Sequence, residues 1–347
     1  MPQKNQSQKF LIIQTAFIGD VVPSLPVAQI LKSKFPESSI SFLVRKGNEN
    51  LLDNHPAIDT IFTWNKGNGK YRSLYAIYKK LKKTDWDGIF NLHRFFSTGL
   101  LTSILHADIK VGFDKNPFSK FFDDTAAHEI PFEKNGHVKH EVDRNLQLLT
   151  FLNIHDFENP RLYPSQEDYD AVTRYKENPY YVFAPSSVWF TKQWPQSKWI
   201  ELTQNISEEI DILLIGGPGD KQYCSEIAEQ RPNCNNLAGQ LTFLQSAALI
   251  DDAILTIVND SAPLHFSSAM NTPTIAIYCS TVPEFGFYPL SDNSQVVEYS
   301  GDLYCRPCGL HGFKECPESH FNCAREISID SVLNAIENLT TSQNSIQ

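Results

Sequence analysis

Residues 10–20, FLIIQTAFIGD, decide the fold. Phe10 to Ile13 is a short continuous apolar run, which reads as a strand buried on both faces. The polar turn Gln14 to Asp20 follows, and then a stretch in which Val22, Leu25, Ile30, Leu31 and Phe35 can share one helical face. Strand, loop and helix in that order open an α/β unit. Pro23 suits a first helical turn, whereas Pro26 should kink the second, so the start of this helix is loosely fixed.

Outward from there the rhythm repeats. Ser39 to Val44, Thr60 to Trp64, Gly88 to Leu92 and Ile109 to Phe113 read as short apolar strands, with helix-like stretches such as Leu74 to Lys83 between them. The second half restarts with Tyr180 to Ala184, Ile212 to Ile215, Ala253 to Val258 and Thr274 to Tyr278. This alternation predicts parallel sheets covered by helices on both faces. Asn159 to Asp168 carries two prolines and little periodicity, and serves as the linker. The expected division is a domain over 1–160, a second over 170–330, and a helix end and tail over 331–347. Two doubly wound domains facing each other would hold a ligand in the cleft at the carboxyl ends of their strands.

The bulk numbers fit. A chain of 347 residues with 41% hydrophobic and 20% charged residues can fill two cores. The formal net charge of -10 argues against nucleic acid as a partner, while leaving room for a local basic face. The polar N-terminus and the short first apolar run predict a cytoplasmic protein with neither signal peptide nor membrane span.

Four loops can carry chemistry. Gly19-Asp20 follows the first strand, where a carboxylate can accept a proton from an acceptor hydroxyl or simply cap the next helix. Ala184-Pro185-Ser186-Ser187 leads to Thr191-Lys192-Gln193-Trp194-Pro195, a lysine beside hydroxyls that suits a phosphate or is merely solvated. Gly216-Gly217-Pro218-Gly219-Asp220 would let backbone N–H groups approach a ligand, or is a plain turn. Asn259-Asp260-Ser261-Ala262-Pro263-Leu264-His265 joins a strand to a helix, whose first N–H groups and positive dipole end suit a pyrophosphate. The alternative there is ordinary capping by Asp260 or Ser261, with His265 packed one turn in.

Taken in order, the motifs resemble glycosyltransferase family 9, the ADP-heptose:lipopolysaccharide heptosyltransferases. The matching stretches are Gly19-Asp20, Asn91 to Arg94, Val111 to Phe113, His140 to Arg144, Lys192 to Pro195, Gly216 to Asp220, Leu237 to Gly239 and Asn259 to His265. The resemblance spans nearly the whole chain. It implies a GT-B-type fold of two Rossmann-like domains, the first for the acceptor and the second for the nucleotide sugar. It also implies inverting, metal-independent transfer of heptose from ADP-heptose to a Kdo/heptose–lipid A acceptor, a glycolipid reached by transient contact with the inner membrane. Asp20 would be the base. Donor contacts would come from Ser186, Ser187, Thr191, Lys192, Gly217, Asp260, Ser261, Ala262, Leu264 and His265. Gly19, Arg94, Lys115 and Arg144 would face the acceptor, although Arg144 could equally pair with Glu141 on one helix. Ala262 stands where many relatives have Gly, and Asn91 where an Asp is common. Another nucleotide sugar, or a non-catalytic sugar-nucleotide or glycan binder, are the competing readings.

No cofactor is expected for catalysis. Cys305-x2-Cys308-x7-Cys316-x6-Cys323 nevertheless offers four thiols at spacings compatible with a structural zinc, with His311 and His320 as substitutes. In a reducing compartment metal or free thiols are favoured over disulfides.

Overall fold

The structure is a computed structural model that describes residues 7–67, 69–130 and 138–344. The chain forms two compact units, one of residues up to Ile130 with Lys139–Tyr163, the other running from Pro164 onward. The strands of the first unit are β1 (Lys9–Ile13), β2 (Ser39–Arg45), β3 (Thr60–Trp64), β4 (Trp86–Asn91), β5 (Ala107–Phe113) and β6 (Asp124–Ala126). Its helices are α1 (Ile18–Val21), α2 (Leu25–Lys34), α3 (Lys70–Leu81), α4 (Phe96–Ile104) and α5 (Glu141–Leu146). The second unit holds β7 (Tyr180–Ala184), β8 (Asp211–Leu214), β9 (Cys234–Asn236), β10 (Leu255–Asn259), β11 (Thr274–Tyr278) and β12 (Ser294–Glu298). Its helices are α6 (Gln166–Val172), α7 (Gln196–Asn205), α8 (Lys221–Ala228), α9 (Phe243–Asp251), α10 (Ala262–Met270), α11 (Asn322–Arg325) and α12 (Ile329–Asn344).

Both sheets are parallel and have the same order. The first runs β3-β2-β1-β4-β5-β6 and the second β12-β11-β10-β7-β8-β9. In each, the order reverses between the unit's first and fourth strands. These switch points are the places where doubly wound sheets open a crevice at their carboxyl ends. The central strands are mostly apolar because helices cover both faces: Phe10 to Ile13 and Ile257 to Val258 are fully buried.

The local start of the first helix differs from the sequence reading. Pro26 occupies the second residue of α2, where its missing N–H costs no helical bond, so the chain breaks instead of kinking. The outcome is a short α1, a 3-10 turn over Val22–Ser24, and a separate α2. Three strands had no clear apolar signature. β6, β9 and β12 are edge strands, partly exposed, and carry few apolar residues.

Candidate functional site

In the first unit the site residues gather beyond the carboxyl ends of β1 and β4. Asp20 is the third residue of α1 and is partly exposed. Phe17 is the N-cap and makes no side-chain cap bond, so Asp20 is not the cap; its place in the first turn still matches the positive helix end. Gly19 lies within α1, which removes left-handed backbone as its reason. Nearby, Lys66 Nζ donates to the Thr15 carbonyl at 2.9 Å and to its hydroxyl at 3.0 Å. Burial, with Arg45 adding, lowers the Lys66 pKa to about 8. His93, buried and close to Lys66 and Arg94, is pushed down to about 3 and stays neutral. Asn91, fully buried, holds this loop: its oxygen accepts from the His93 N–H at 3.0 Å and its nitrogen donates to Thr102 at 3.0 Å. Lys66 and Thr15 were missed in the sequence because nothing marks a single lysine or threonine after an apolar strand, whereas His93 lay in the matching stretch Asn91 to Arg94 with no role assigned to it.

Two residues expected at an acceptor face have internal partners, and for Arg144 the alternative pairing with Glu141 is the one formed. Arg144 is 1% exposed; its Nη1 bonds Glu141 at 2.9 Å and its Nε donates to the Glu129 carbonyl at 2.9 Å. Burial works to raise the Glu141 pKa, but the His128 hydrogen bond and charge together with Arg144 hold it below the usual range. The motif His140 to Arg144 is thus a helix start: His140 caps α5 in a capping box with Asp143, and the pair Glu141–Arg144 locks it. Lys115 is exposed, and its Nζ donates to the His128 carbonyl at 2.8 Å. Arg94 remains partly exposed beyond the carboxyl end of β4.

In the second unit the motif loops at β7 and β10 are tied together. Asn259 accepts from the Trp194 N–H at 3.0 Å and donates to the Pro185 carbonyl at 2.8 Å. Lys192 Nζ lies 2.6 Å from Asp260 Oδ2, which also accepts from Thr281 Oγ1 at 2.6 Å. Asp260 therefore holds Lys192 and does not cap α10. Ser261 is the N-cap, without a side-chain cap bond; its hydroxyl donates to the Asn259 carbonyl at 3.3 Å. Pro263 removes one N–H from the first turn, and the Leu264 N–H bonds the Ser261 carbonyl, so Leu264 contributes a fully buried side chain only. His265 is 5% exposed and packs on Phe287 with ring centroids 5.8 Å apart.

Two further residues expected at the donor already have internal partners. Thr191 is buried and its hydroxyl accepts from the Phe313 N–H at 2.8 Å and from Ser280 at 3.0 Å, so it anchors a loop. The Gly217 N–H is taken by Asp220 Oδ2 at 2.7 Å, which closes the glycine turn on itself. Gly239, at φ 72°, lies against that turn: a Cβ there would meet Pro218 Cα at 2.7 Å, and its N–H bonds the Gly216 carbonyl. Ser186 and Ser187 stay partly exposed beside Lys192's loop.

The cysteines line a long loop after β12. None is in a disulfide. Cys305 Sγ is 3.7 Å from His320 Nε2, Cys308 Sγ turns to the Cys305 carbonyl at 3.1 Å, and Cys323 is buried in the core. Among the described residues no three His, Cys, Asp or Glu side chains are gathered as metal ligands, so the thiols do not form a ready tetrahedral site. The loop instead braces Lys192: Phe313 bonds Thr191 in both directions, and Arg306 donates to the carbonyls of Cys279 and Thr281, at 2.8 Å each. Arg306 was also missed, since only its folded position reveals it. No helix of the described residues is long and apolar enough to cross a membrane.

Two parallel six-stranded sheets of this doubly wound order make up a GT-B-type fold. Residues 74–316 match "Glycosyltransferase family 9 (heptosyltransferase)". Lipopolysaccharide heptosyltransferase 3 of Escherichia coli is 27% identical over 303 residues, covering 82% of this chain and 87% of that one. Among solved structures, E. coli ADP-heptose lps heptosyltransferase II superposes with a TM-score of 0.79 at 21% identity, covering 97% of this chain and 100% of the other. E. coli heptosyltransferase WaaC with ADP-2-deoxy-2-fluoro heptose gives 0.69 at 19% identity, with 95% and 99% covered. The chain belongs to glycosyltransferase family 9 and is a glycosyltransferase.

Proposed function

We propose that this enzyme transfers a heptose, with inversion and without a catalytic metal, from ADP-heptose to a Kdo/heptose–lipid A acceptor. The first unit would hold the acceptor and the second the nucleotide sugar. Asp20 takes the proton of the acceptor hydroxyl as its oxygen bonds the anomeric carbon and the bond to the departing ADP breaks. The Lys192 ammonium has three donors; Asp260 fixes one, leaving others for the diphosphate. The N–H groups of Ser261 and Ala262 and the positive end of α10 add to the stabilisation of the leaving charge. Arg94 and Lys115 are cations that can serve an anionic acceptor sugar. One observation carries this reading: Asp20 and the Lys192–Asp260 pair each follow strands that flank a switch point. The solved relatives named with ADP-heptose or its fluoro analogue support the choice of donor.

The test is a transfer assay with ADP-heptose and a lipid A-based acceptor. Asp20→Asn should lower the rate by about 10²–10⁴ while the donor still raises the melting temperature. Near-wild-type transfer would remove the base assignment, and equal stabilisation by every nucleotide sugar would remove the donor. Zinc at Cys305, Cys308, Cys316 and Cys323 belongs to the same reading as a structural element. It requires the thiols to draw together from their present positions, and metal analysis of protein purified without chelator decides it: a stoichiometry near zero rejects zinc.

A further inference from the structure

From Lys66 to Lys83 the sequence holds seven Lys or Arg residues and no Asp or Glu, in a chain whose formal net charge is -10. This run builds α3 and its approach. Leu74, Ile77 and Leu81 turn inward and are buried in the core of the first unit. The other face is wet: Tyr71 is 74% and Tyr75 58% exposed, and Arg72, Lys79, Lys80, Lys82 and Lys83 are exposed. Among the described residues none of these five cations forms an ion pair. Lys79 Nζ rests 4.6 Å from the Tyr75 ring centroid and Lys82 Nζ 5.5 Å from that of Tyr78. Beside them, between α3 and the edge strand β3, lies a groove of about 500 Å³ whose lining includes Asn65, Arg72, Ser73 and Lys80.

We propose that the outward face of α3 is a docking surface for an anionic lipid bilayer. The chemistry matches on both counts that such a surface demands. Cations in a dense, unpaired array are drawn to a negative headgroup plane, and tyrosines with an apolar body and polar tip settle at the level of those headgroups. The groove, with Arg72 and Lys80 on its wall, is of a size to seat a headgroup phosphate. The overall charge selects between polyanions: a bilayer meets this face alone, whereas a long flexible nucleic acid would run into the acidic remainder. The face is also continuous with the acceptor loop, because Lys66, where the basic run begins, bonds Thr15 on the way to Asp20. Docking would bring that loop to the membrane in which a glycolipid acceptor is embedded. The inference deepens the glycolipid reading and rests on it for the purpose of docking, not for the docking itself.

Flotation of the full-length enzyme with vesicles tests it. Wild type should float with phosphatidylglycerol-containing vesicles, remain behind with pure phosphatidylcholine, and be released by high salt. Reversing Lys79, Lys80, Lys82 and Lys83 to Glu should lower the bound fraction at least about tenfold, and Tyr71→Ser with Tyr75→Ser should weaken it further. If the reversed variant melts early, the same four positions as Gln give the readout. Transfer to a deacylated, water-soluble acceptor should be unchanged in all of them. Flotation that ignores either lipid charge or the substitutions overturns the proposal, as does wild type that fails to float. Binding to an oligonucleotide in place of vesicles, lost on charge reversal, overturns it in favour of nucleic acid. Failure of the wild type to transfer heptose overturns the reading of the reaction and leaves the flotation result standing.

Discussion

Lys192 and Asp260 meet at 2.6 Å with side chains only 15% and 9% exposed, and Thr281 donates to the same carboxylate oxygen. The lysine is thereby fixed rather than waving in solvent. Removing it leaves a nearly buried carboxylate uncompensated. Lys192→Ala should therefore cost about 3 kcal/mol of stability in urea unfolding. It should also lower kcat/KM for the donor by roughly 10²–10³, as the loss of a leaving-group stabiliser does. Lys192→Met combined with Asp260→Asn should destabilise by clearly less than the sum of the single changes.

Arg144 supplies the contrasting case. Its guanidinium is buried against Glu141, and Arg144→Ala should destabilise the protein by about 3–5 kcal/mol. The KM for the acceptor, measured below the melting transition, should stay within about twofold of wild type. A rise in KM without loss of stability would return Arg144 to the acceptor face.

Acid should unfold the first unit through two neutral histidines. Burial lowers the His55 pKa to about 4, and its Nδ1 accepts from the Ala57 N–H. Burial and the neighbouring charges lower His93 to about 3. As the pH falls below 6.5 the unfolded chain takes up protons that the folded one refuses, so stability falls from pH 6.5 toward 4. Each histidine contributes on the order of 3 kcal/mol at most. His55→Asn and His93→Asn should flatten the curve of unfolding free energy against pH in that window; an unchanged slope would clear them of the effect.

Gly239→Ala should destabilise by about 2 kcal/mol in the same denaturation experiment. The new Cβ meets backbone at Pro218, which cannot swing aside, and the backbone is left-handed at φ 72°. Gly219→Ala, where a Cβ meets nothing within 4 Å, is the control and should cost little.

The fold was legible because its central strands are buried on both sides. Phe10 to Ile13, Tyr180 to Ala184 and Thr274 to Tyr278 announce themselves as apolar runs, and their spacing carries the alternation with helices. β6, β9 and β12 escaped because an edge strand can do without apolar faces or a period; β3, also at an edge, was found through its apolar run Thr60 to Trp64. At the site, sequence position found the loops but not the division of labour within them. Asp20 was open to reading as a cap, yet Phe17 holds that place; of the two caps offered for the later helix, Ser261 holds it and Asp260 does not. Thr191, Gly217 and Arg144 looked equipped for ligands, but the Thr191 hydroxyl, the Gly217 N–H and the Arg144 Nε and Nη1 already have internal partners, some of them set by distant residues such as Phe313 and Glu129. The same non-local logic hid Lys66 and Arg306.

The shared strand order also governs how each unit comes into being during synthesis. β1 sits between β2 and β4, with Phe10 paired to Gly88, and β7 sits between β8 and β10, with Tyr181 paired to Leu255. Neither sheet can close its centre until a strand made much later has emerged, so each half must pass a stage in which fully apolar strands lack one neighbour. Such long-range closure is slow and exposes sticky edges to other nascent chains. Yield at high expression rates should therefore be limited by the pace of translation through β4 and β10, and lower temperature or chaperone supply should raise the soluble fraction without any change in the finished protein's stability.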